Sequence, residues 1–237
     1  MSAHVSWKEL SEAYAFVGNS LLKPMTQTSD VGLDPAFWKA FPTFGSPDVA
    51  GACTDLAAYA HAAREAAASD GCDPVERCAV EYTRLFVGPP SPAAPPWETM
   101  HRGGAAAGGA AVGFGEATFD MRRRLREAGL EVRNENNQYE DHMGIELLYL
   151  SVLCARAAEE RGALAAKGGS SASDEVVSFI ETHLLAWLSS LCIAVEDAAP
   201  SGYFSRLLAL ADALLHVPLK EGQARRKLFA EDAESGK

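Results

Sequence analysis

Apolar residues recur along most of the chain at intervals of three and four positions, which is the spacing of one face of an α-helix. The first such stretch contains Trp7, Leu10, Tyr14, Val17 and Leu21. Pro24 is predicted to end this first helix, because proline cannot continue the backbone hydrogen bonding. Nowhere do apolar and polar residues alternate over the length of a strand. The pattern therefore predicts an all-α protein.

Three proline positions mark the predicted starts of the next helices. Asp34-Pro35, Ser46-Pro47 and Asp73-Pro74 each place a capping side chain before a proline at the first helical position. The second of these is predicted to open a long alanine-rich helix that runs to about Ser69. The third is predicted to open a helix that ends at Gly88-Pro89-Pro90.

Four further helices are predicted in the second half of the chain. The first begins near Glu116 and places Phe119, Met121 and Leu125 among its apolar residues. The next spans about residues 140–161.

The last two predicted helices follow a polar break at residues 168–173. Asp174 is predicted to cap the first of them. Ser201 opens the second, and Pro218 is expected to end it.

The composition changes sharply between about residues 88 and 115. Five prolines lie between Pro89 and Trp97, and residues 103–115 are almost entirely glycine and alanine. Prolines hold a chain extended and glycines leave it free to move. We therefore expect a single-domain helical bundle over residues 1–218, a Pro/Gly-rich loop at about 88–115, and a charged C-terminal tail at 219–237.

Bulk properties narrow the class of partner. The 237 residues carry a formal charge of −11, so nucleic acid is not expected as a partner, because phosphate binding relies on clustered lysine and arginine. An acidic surface instead favours a basic partner, since complementary charge speeds encounter. No run of about 18 apolar residues is present, so stable membrane insertion is not expected.

The location of the protein is predicted from its N-terminal region and its cysteines. Charged residues at Lys8, Glu9 and Glu12 interrupt the region where a secretory signal has a continuous apolar segment. The five cysteines form no C-x-x-C pair and are expected to be reduced thiols packed as small apolar residues. Both observations predict a cytoplasmic protein.

Signatures of catalysis are weak. The glycine-rich stretch lacks the Gly-Lys-Ser/Thr ending of a phosphate-binding loop. His142 and Glu146 are four residues apart, as two metal ligands on a helix are, but no second ligand pair accompanies them. We therefore expect no catalytic residues, no metal site and no cofactor, and we predict that the protein is not an enzyme.

Three stretches are more informative when they are taken in order. The first runs from Glu81 to Gly88 and on to the Pro95–Thr99 loop, the second spans Glu140–Leu147, and the third spans Phe179–Leu188. This order resembles the TorD/DmsD family of redox-enzyme maturation chaperones. The family's marks are a Tyr-x-x-Leu-Phe-x-Gly helix end, a Pro-Pro-Trp-Glu loop, an Asp-His-x-x-x-Glu-Leu helix start and a His-Leu-x-x-Trp segment. One departure is that Gln138-Tyr139-Glu140 stands where the family usually has a proline.

The resemblance implies a cytoplasmic chaperone for a molybdopterin-dependent reductase of the dimethyl sulfoxide or trimethylamine N-oxide reductase type. Such a chaperone binds the twin-arginine signal peptide, the apo-form of the catalytic subunit, or both, while the cofactor is inserted before export. The signal-peptide site is predicted to comprise Tyr82, Leu85, Phe86, Pro96, Trp97, Glu98, Asp141, His142 and Glu146.

The chemistry of the peptide explains this choice of residues. Two guanidinium groups followed by a short apolar segment require carboxylates beside an apolar groove. Tyr82, Leu85 and Phe86 are predicted to form the groove floor and Trp97 an aromatic wall. Asp141, Glu146 and Glu98 are the expected carboxylates, with His142 as a hydrogen-bonding partner.

Alternative functions remain open at this stage. One is an assembly factor that binds the mature apo-enzyme, as nitrate reductase assembly chaperones do. Another is a helical metal-dependent enzyme built around His142 and Glu146. Long helices joined by a flexible segment also permit a domain-swapped homodimer.

Overall fold

The fold is described by a computed structural model that covers residues 5–88, 90–102, 114–132, 138–163 and 172–235, with side chains left out at 161–163 and 223–235. Within these ranges every regular element is helical, and the only extended pairing is an isolated antiparallel bridge between Trp97 and His142. The predicted all-α, single-domain helical bundle is confirmed.

The α-helices of the described residues follow in chain order. They are α1 (Trp7–Leu22), α2 (Pro35–Ala40), α3 (Pro47–Asp70), α4 (Pro74–Tyr82), α5 (Glu98–Arg102), α6 (Glu116–Glu127), α7 (Met143–Ala163), α8 (Ala172–Phe179), α9 (Leu185–Ala198) and α10 (Tyr203–Ser235). One-turn π-helical segments at Thr83–Val87 and Ile180–Leu184 follow α4 and join α8 to α9. Short 3-10 helices occupy Met25–Gln27 and Asp30–Leu33.

The predicted helix starts at the three prolines are confirmed. Asp34 accepts a hydrogen bond from the Ala36 amide at 3.1 Å, and Asp73 accepts one from Val75 at 2.9 Å. Ser46 caps α3 in the same way. These side chains satisfy amides of the first turn that have no partner inside the helix, and proline contributes a fixed φ there.

The bounds of two later helices differ from the prediction. Helix α7 begins at Met143 rather than near Glu140, because the residues just before it pair with the loop around Trp97. Helix α8 begins at Ala172, so Asp174 lies in its first turn and not at its cap. The short helix α5 inside the Pro/Gly-rich loop was not predicted, and the Gly/Ala-rich residues 103–113 lie outside the described part.

The prediction that Pro218 ends the last helix is wrong, since α10 continues to Ser235. A proline inside a helix leaves the carbonyl four residues earlier without its amide donor. Here that carbonyl belongs to Leu214, and the buried Tyr14 hydroxyl donates to it at 2.9 Å. A side chain 200 positions away in sequence thus replaces the lost hydrogen bond, and residues 219–235 of the predicted tail are helical.

The core is built around α1, which lies along α7, and around α10, which packs on α3. Gly18 and Gly144 let the first pair approach closely. Glu81 links α4 to α10, because its carboxylate accepts hydrogen bonds from the Tyr203 and Phe204 amides at 3.2 and 3.0 Å. A carboxylate at this position caps α10 and complements the positive end of its dipole.

Among the described residues, one helical stretch (Ala172–Ala198) is long and apolar enough to span a membrane, but about half of it is buried inside the fold. Its apolar side chains Leu184, Trp187 and Leu188 belong to the core. Core helices of this composition are common, so the stretch is weak evidence for a membrane.

All five cysteines are unpaired. Cys53, Cys78 and Cys154 are buried, as predicted, and Cys192 is half-buried. Burial raises the pKa of the Cys53 thiol to about 11 and that of Cys78 to about 12, so both are protonated and unreactive. Cys72 is exposed, contrary to the prediction of packed thiols.

Candidate functional site

The loop before α5 pairs with the segment before α7. The Met143 amide donates to the Pro96 carbonyl, and the Glu98 amide donates to the Asp141 carbonyl, both at 2.9 Å. These bonds bring two of the three sequence motifs into direct contact. Pro96 is buried and sits at this junction.

Asp141 holds this junction together. Its side chain is fully buried and accepts hydrogen bonds from the Thr99 amide at 3.0 Å and the Thr118 hydroxyl at 3.0 Å. The first bond caps α5, and the second attaches the first turn of α6 to the junction. With both carboxylate oxygens engaged inside the protein, Asp141 positions the surrounding elements.

His142 is also fully buried. Its Nδ1 accepts a hydrogen bond from the Gly144 amide at 2.9 Å, so the neutral ring carries its proton on Nε2. Burial lowers the pKa of His142 to about 3, and the ring is therefore neutral at physiological pH. Nε2 has no hydrogen-bond partner among the described residues.

A second buried polar group lies beside this junction and is formed by Glu98, Glu146 and His183. It combines α5, α7 and the π-helical segment Ile180–Leu184. One nitrogen or oxygen of each residue lies within 4.8 Å of the corresponding atoms of the other two. Between Glu98 Oε2 and His183 Nδ1 the distance is 2.9 Å. We call these three residues the buried triad.

Each member of the buried triad is held by a further partner. His183 Nε2 lies 3.0 Å from an oxygen of Asp120. Trp187 Nε1 donates to Glu146 Oε2 at 3.1 Å. Arg102 donates to Glu98 Oε1 and to the Thr182 carbonyl.

The two glutamates of the triad differ in protonation. Burial opposes ionisation of Glu98, but hydrogen bonds from His183 and Arg102 lower its pKa below the ordinary value. Burial raises the pKa of Glu146 well above the ordinary value, and the nearby charge of Glu98 adds to the effect. Glu98 is therefore a carboxylate and Glu146 a neutral acid. His183 has a carboxylate oxygen of Glu98 2.9 Å from Nδ1 and one of Asp120 3.0 Å from Nε2.

This protonation pattern predicts a pH-dependent effect of Glu146→Gln. The pKa of Glu146 is higher in the folded than in the unfolded state. At pH values between these two pKa values, the folded protein therefore binds more protons than the unfolded protein. The wild type therefore loses stability as pH rises toward the folded pKa of Glu146, and the glutamine variant lacks this loss. In chelator-containing buffer, we expect the free energy of unfolding of Glu146→Gln, relative to that of wild type, to rise by about 1–3 kcal/mol when the pH is raised from 5 to 8.

Urea unfolding at the two pH values measures this difference. Glu140→Gln is the control: burial opposes ionisation of Glu140, yet a hydrogen bond from Arg122 lowers its pKa. Glu140 is therefore ionised at both pH values, and its removal should cost nearly the same free energy of unfolding at pH 5 and at pH 8. Parallel stability curves for Glu146→Gln and wild type would contradict the assigned protonation state.

The predicted apolar floor lies in the core and not at the surface. Tyr82, Leu85 and Phe86 are buried, and the rings of Tyr82 and Phe86 pack on Phe204 with centroid distances of 5.7 and 5.3 Å. The Tyr82 hydroxyl donates to the Leu22 carbonyl at 2.8 Å. These residues anchor the helix that leads into the Pro/Gly-rich loop.

Four aromatic side chains form a cluster at the surface beside the loop junction. Ring centroids are separated by 6.2 Å between Trp97 and Tyr139, 5.7 Å between Tyr139 and Phe114, and 4.7 Å between Phe114 and Phe119. Phe119 is 55% exposed and Tyr139 39% exposed. Trp97 also contacts His142, with 6.1 Å between the rings. We call these four residues the aromatic surface cluster; the sequence analysis had selected only Trp97 from it.

An arginine already lies at the edge of this cluster. Arg122 donates two hydrogen bonds to the Glu140 carboxylate, at 2.6 and 3.0 Å. Its guanidinium lies 5.5 Å from the Phe114 ring centroid and 6.0 Å from that of Phe119. Bidentate pairing combined with aromatic contact is the geometry in which proteins bind guanidinium groups.

Comparison with known proteins agrees with the sequence motifs. Residues 46–192, more than half of the chain, match the model of a family described as nitrate reductase delta subunit. Two curated relatives, both named Tat proofreading chaperone DmsD, come from Salmonella paratyphi A and Salmonella typhimurium. They are 29% and 28% identical over 130 residues, which cover 55% of this chain and 54% of each relative. The chain thus spans about half the length of the curated relatives it matches. By this match the chain belongs to the nitrate reductase delta subunit family of TorD/DmsD-type chaperones, a class of assembly factors and not of catalysts.

Proposed function

We propose that this protein is a cytoplasmic chaperone that binds the twin-arginine signal peptide of a molybdopterin-dependent reductase and retains the apo-enzyme during cofactor insertion. The observation that carries the proposal is the aromatic surface cluster, which includes Trp97 of the Pro-Pro-Trp-Glu loop and lies next to the Asp-His pair. The relatives named Tat proofreading chaperone support the same role. A reductase of the dimethyl sulfoxide or trimethylamine N-oxide type is the client we expect.

The cluster offers what the apolar part of a signal peptide needs. Its exposed rings form an apolar patch, and burial of apolar surface contributes about 25 cal/mol per Å². The edge of the patch already holds the Arg122 guanidinium between a carboxylate and two aromatic rings, which supports binding of a peptide arginine in the same manner. The formal charge of −11 favours encounter with a basic peptide.

The carboxylates that contact peptide arginines are assigned on the basis of exposure. Glu98, Asp141 and Glu146 are fully buried, so we assign them to positioning the loop and the cluster. Glu116 is exposed and lies one turn before Phe119, and Glu140 is partly exposed at the edge of the cluster. These two carboxylates are the arginine partners in our proposal, and Glu140 takes that role by exchanging the Arg122 guanidinium for that of the peptide.

Calorimetric titration with signal peptides tests the proposal. A twin-arginine peptide from a molybdoenzyme should bind with micromolar or tighter affinity, about −8 kcal/mol. Its Lys-Lys variant should bind about tenfold more weakly or worse, because lysine cannot form the bidentate, aromatic-stacked contact. Equal affinity for both peptides, or no binding to either, would rule out a twin-arginine receptor.

A second candidate function is favoured by the family description, which names a nitrate reductase subunit. In this function the chaperone binds the mature apo-enzyme without its signal. Titration with a client protein that lacks the signal peptide separates the two, because only the second function predicts undiminished affinity.

A further inference from the structure

We propose that the buried triad of Glu98, Glu146 and His183 is a binding site for one divalent transition-metal ion of the zinc type. The inference goes beyond signal-peptide binding and does not depend on it. It also departs from the sequence analysis, which expected no metal site and considered only His142 with Glu146 as ligands. His142 is unsuited to that role, because its Nδ1 accepts the Gly144 amide.

The geometry places three ligand atoms around one point. In each residue one polar atom, which we call the outer atom, is bound by a residue outside the triad. His183 Nε2 is bound by Asp120, Glu146 Oε2 by Trp187, and Glu98 Oε1 by Arg102. The inner atoms are His183 Nδ1, Glu98 Oε2 and Glu146 Oε1. A histidine that donates its outer N–H to a carboxylate, and carboxylates that are fixed by hydrogen bonds, are the usual supports of metal ligands.

One of these atoms is poorly paired. Glu146 Oε1 is fully buried and makes no hydrogen bond of regular geometry in the described part of the structure, and its polar neighbour is the Glu98 carboxyl group. Leaving a buried carboxyl oxygen without a partner costs free energy, so such atoms in folded proteins call for a ligand or another explanation. A metal ion between Glu146 Oε1, Glu98 Oε2 and His183 Nδ1 satisfies it.

Metal binding couples to protonation at this site. A divalent ion would bind two carboxylates and a neutral imidazole, and the two carboxylates would balance its charge. Any proton that these groups hold in the metal-free protein is released on binding, so the affinity should rise with pH.

The donor set selects the class of ion. Two carboxylate oxygens and one imidazole nitrogen suit zinc and its neighbours among the transition metals. Magnesium and calcium prefer sites made of oxygen atoms alone. A bound ion would link α5, α7 and the Ile180–Leu184 segment, and so fix the short helix that directly follows Trp97.

The test is calorimetric titration of the chelator-treated full chain with ZnCl₂, in the absence of any peptide. We expect one ion per chain, tighter binding at higher pH because the ligands must be deprotonated, and no heat from MgCl₂. Glu146→Gln keeps an acceptor for Trp187 and should weaken zinc binding by more than the about 10- to 100-fold that loss of a residue supporting a ligand costs.

The matched control removes a surface histidine. His61 and Glu65 form an exposed i, i+4 pair, 3.3 Å apart, that could hold zinc weakly. His61→Gln should leave the stoichiometric binding unchanged. No binding by the wild type, full binding by Glu146→Gln, or binding lost in His61→Gln would each overturn the proposal.

A spectroscopic measurement keeps the test independent of variant folding. Four-coordinate Co²⁺ held by protein ligands absorbs visible light intensely, whereas six-coordinate Co²⁺ bound to surface groups and water absorbs weakly. The wild type should show the intense bands, and zinc should abolish them; weak bands alone would contradict the site. Since no peptide is present, absence of metal binding does not contradict the proposed chaperone function. Equally, absence of peptide binding does not contradict the metal site.

Discussion

Replacing Gly144 with alanine is expected to lower the free energy of unfolding by about 2–3 kcal/mol, although alanine is the better helix former. A Cβ atom at Gly144 would lie 2.6 Å from the Gly18 carbonyl oxygen and 3.0 Å from the Leu22 Cβ. The first atom belongs to the backbone of α1 and cannot move by rotation of a side chain. The two helices must therefore separate, and the contacts along their whole interface loosen.

The matched control for this substitution is Gly51→Ala in α3. A Cβ atom there meets nothing within 4 Å, so only helix propensity changes, and we expect a gain of about 0.5–1 kcal/mol. Chemical denaturation of the two variants and the wild type measures both changes in the free energy of unfolding. A neutral or stabilising effect of Gly144→Ala would mean that α1 and α7 do not pack as closely as described.

The same contact matters for the candidate site. Gly144 is the second residue of α7, and its amide donates to His142. Displacement of α7 would also move Asp141 and Glu146, on which the loop junction and the buried triad depend. We therefore expect the stability loss in Gly144→Ala to be accompanied by weaker peptide binding, in contrast to surface substitutions that affect binding alone.

Helix positions were predictable from local sequence. Proline after a capping residue gave the starts of α2, α3 and α4, because both the cap and the fixed φ act within one turn. Pro218 misled the prediction, since local rules place a helix end there. Its tolerance depends on the Tyr14 hydroxyl, a partner that only the folded chain brings near.

The candidate site was predictable in its motifs but not in its exposure. The motifs place Trp97 and Asp141 in one predicted site, and their two stretches pair in the structure, but no sequence feature indicates that three of the selected carboxyl groups are buried. Burial of a carboxyl group depends on partners such as His183 and Trp187, which come from another part of the chain. The buried triad itself was missed because its members stand at positions 98, 146 and 183, with no ligand spacing to recognise.

The exposure of Phe119 was not predicted, because its apolar character alone does not give its face of the helix. Phe119 was grouped with Met121 and Leu125 as an apolar residue of α6, and the two latter side chains are buried. A spacing of two residues, however, turns a helix by about 200°, which places Phe119 opposite Met121. Phe119 is accordingly exposed and joins the aromatic surface cluster.

Removing an aromatic side chain from this cluster should weaken binding of the twin-arginine peptide by about 10- to 100-fold, while the protein keeps most of its stability. Phe119→Ala and Tyr139→Ala are the informative variants, because both rings are substantially exposed and contribute little to the core. Aromatic anchors in the centre of an interface typically contribute about 1–3 kcal/mol each, which corresponds to this range of affinity.

Ile193→Ala is the matched control for the aromatic variants. Ile193 is a large apolar residue of α9, 64% exposed and outside the cluster, so its loss removes a similar amount of surface without touching the proposed site. Calorimetric titration of the three variants with one peptide, with unfolding curves recorded in parallel, separates binding from stability. Equal weakening in all three would indicate non-specific apolar contact. Unchanged affinity in both aromatic variants would move the peptide site away from the cluster and leave the Arg122–Glu140 pair without a role in recognition.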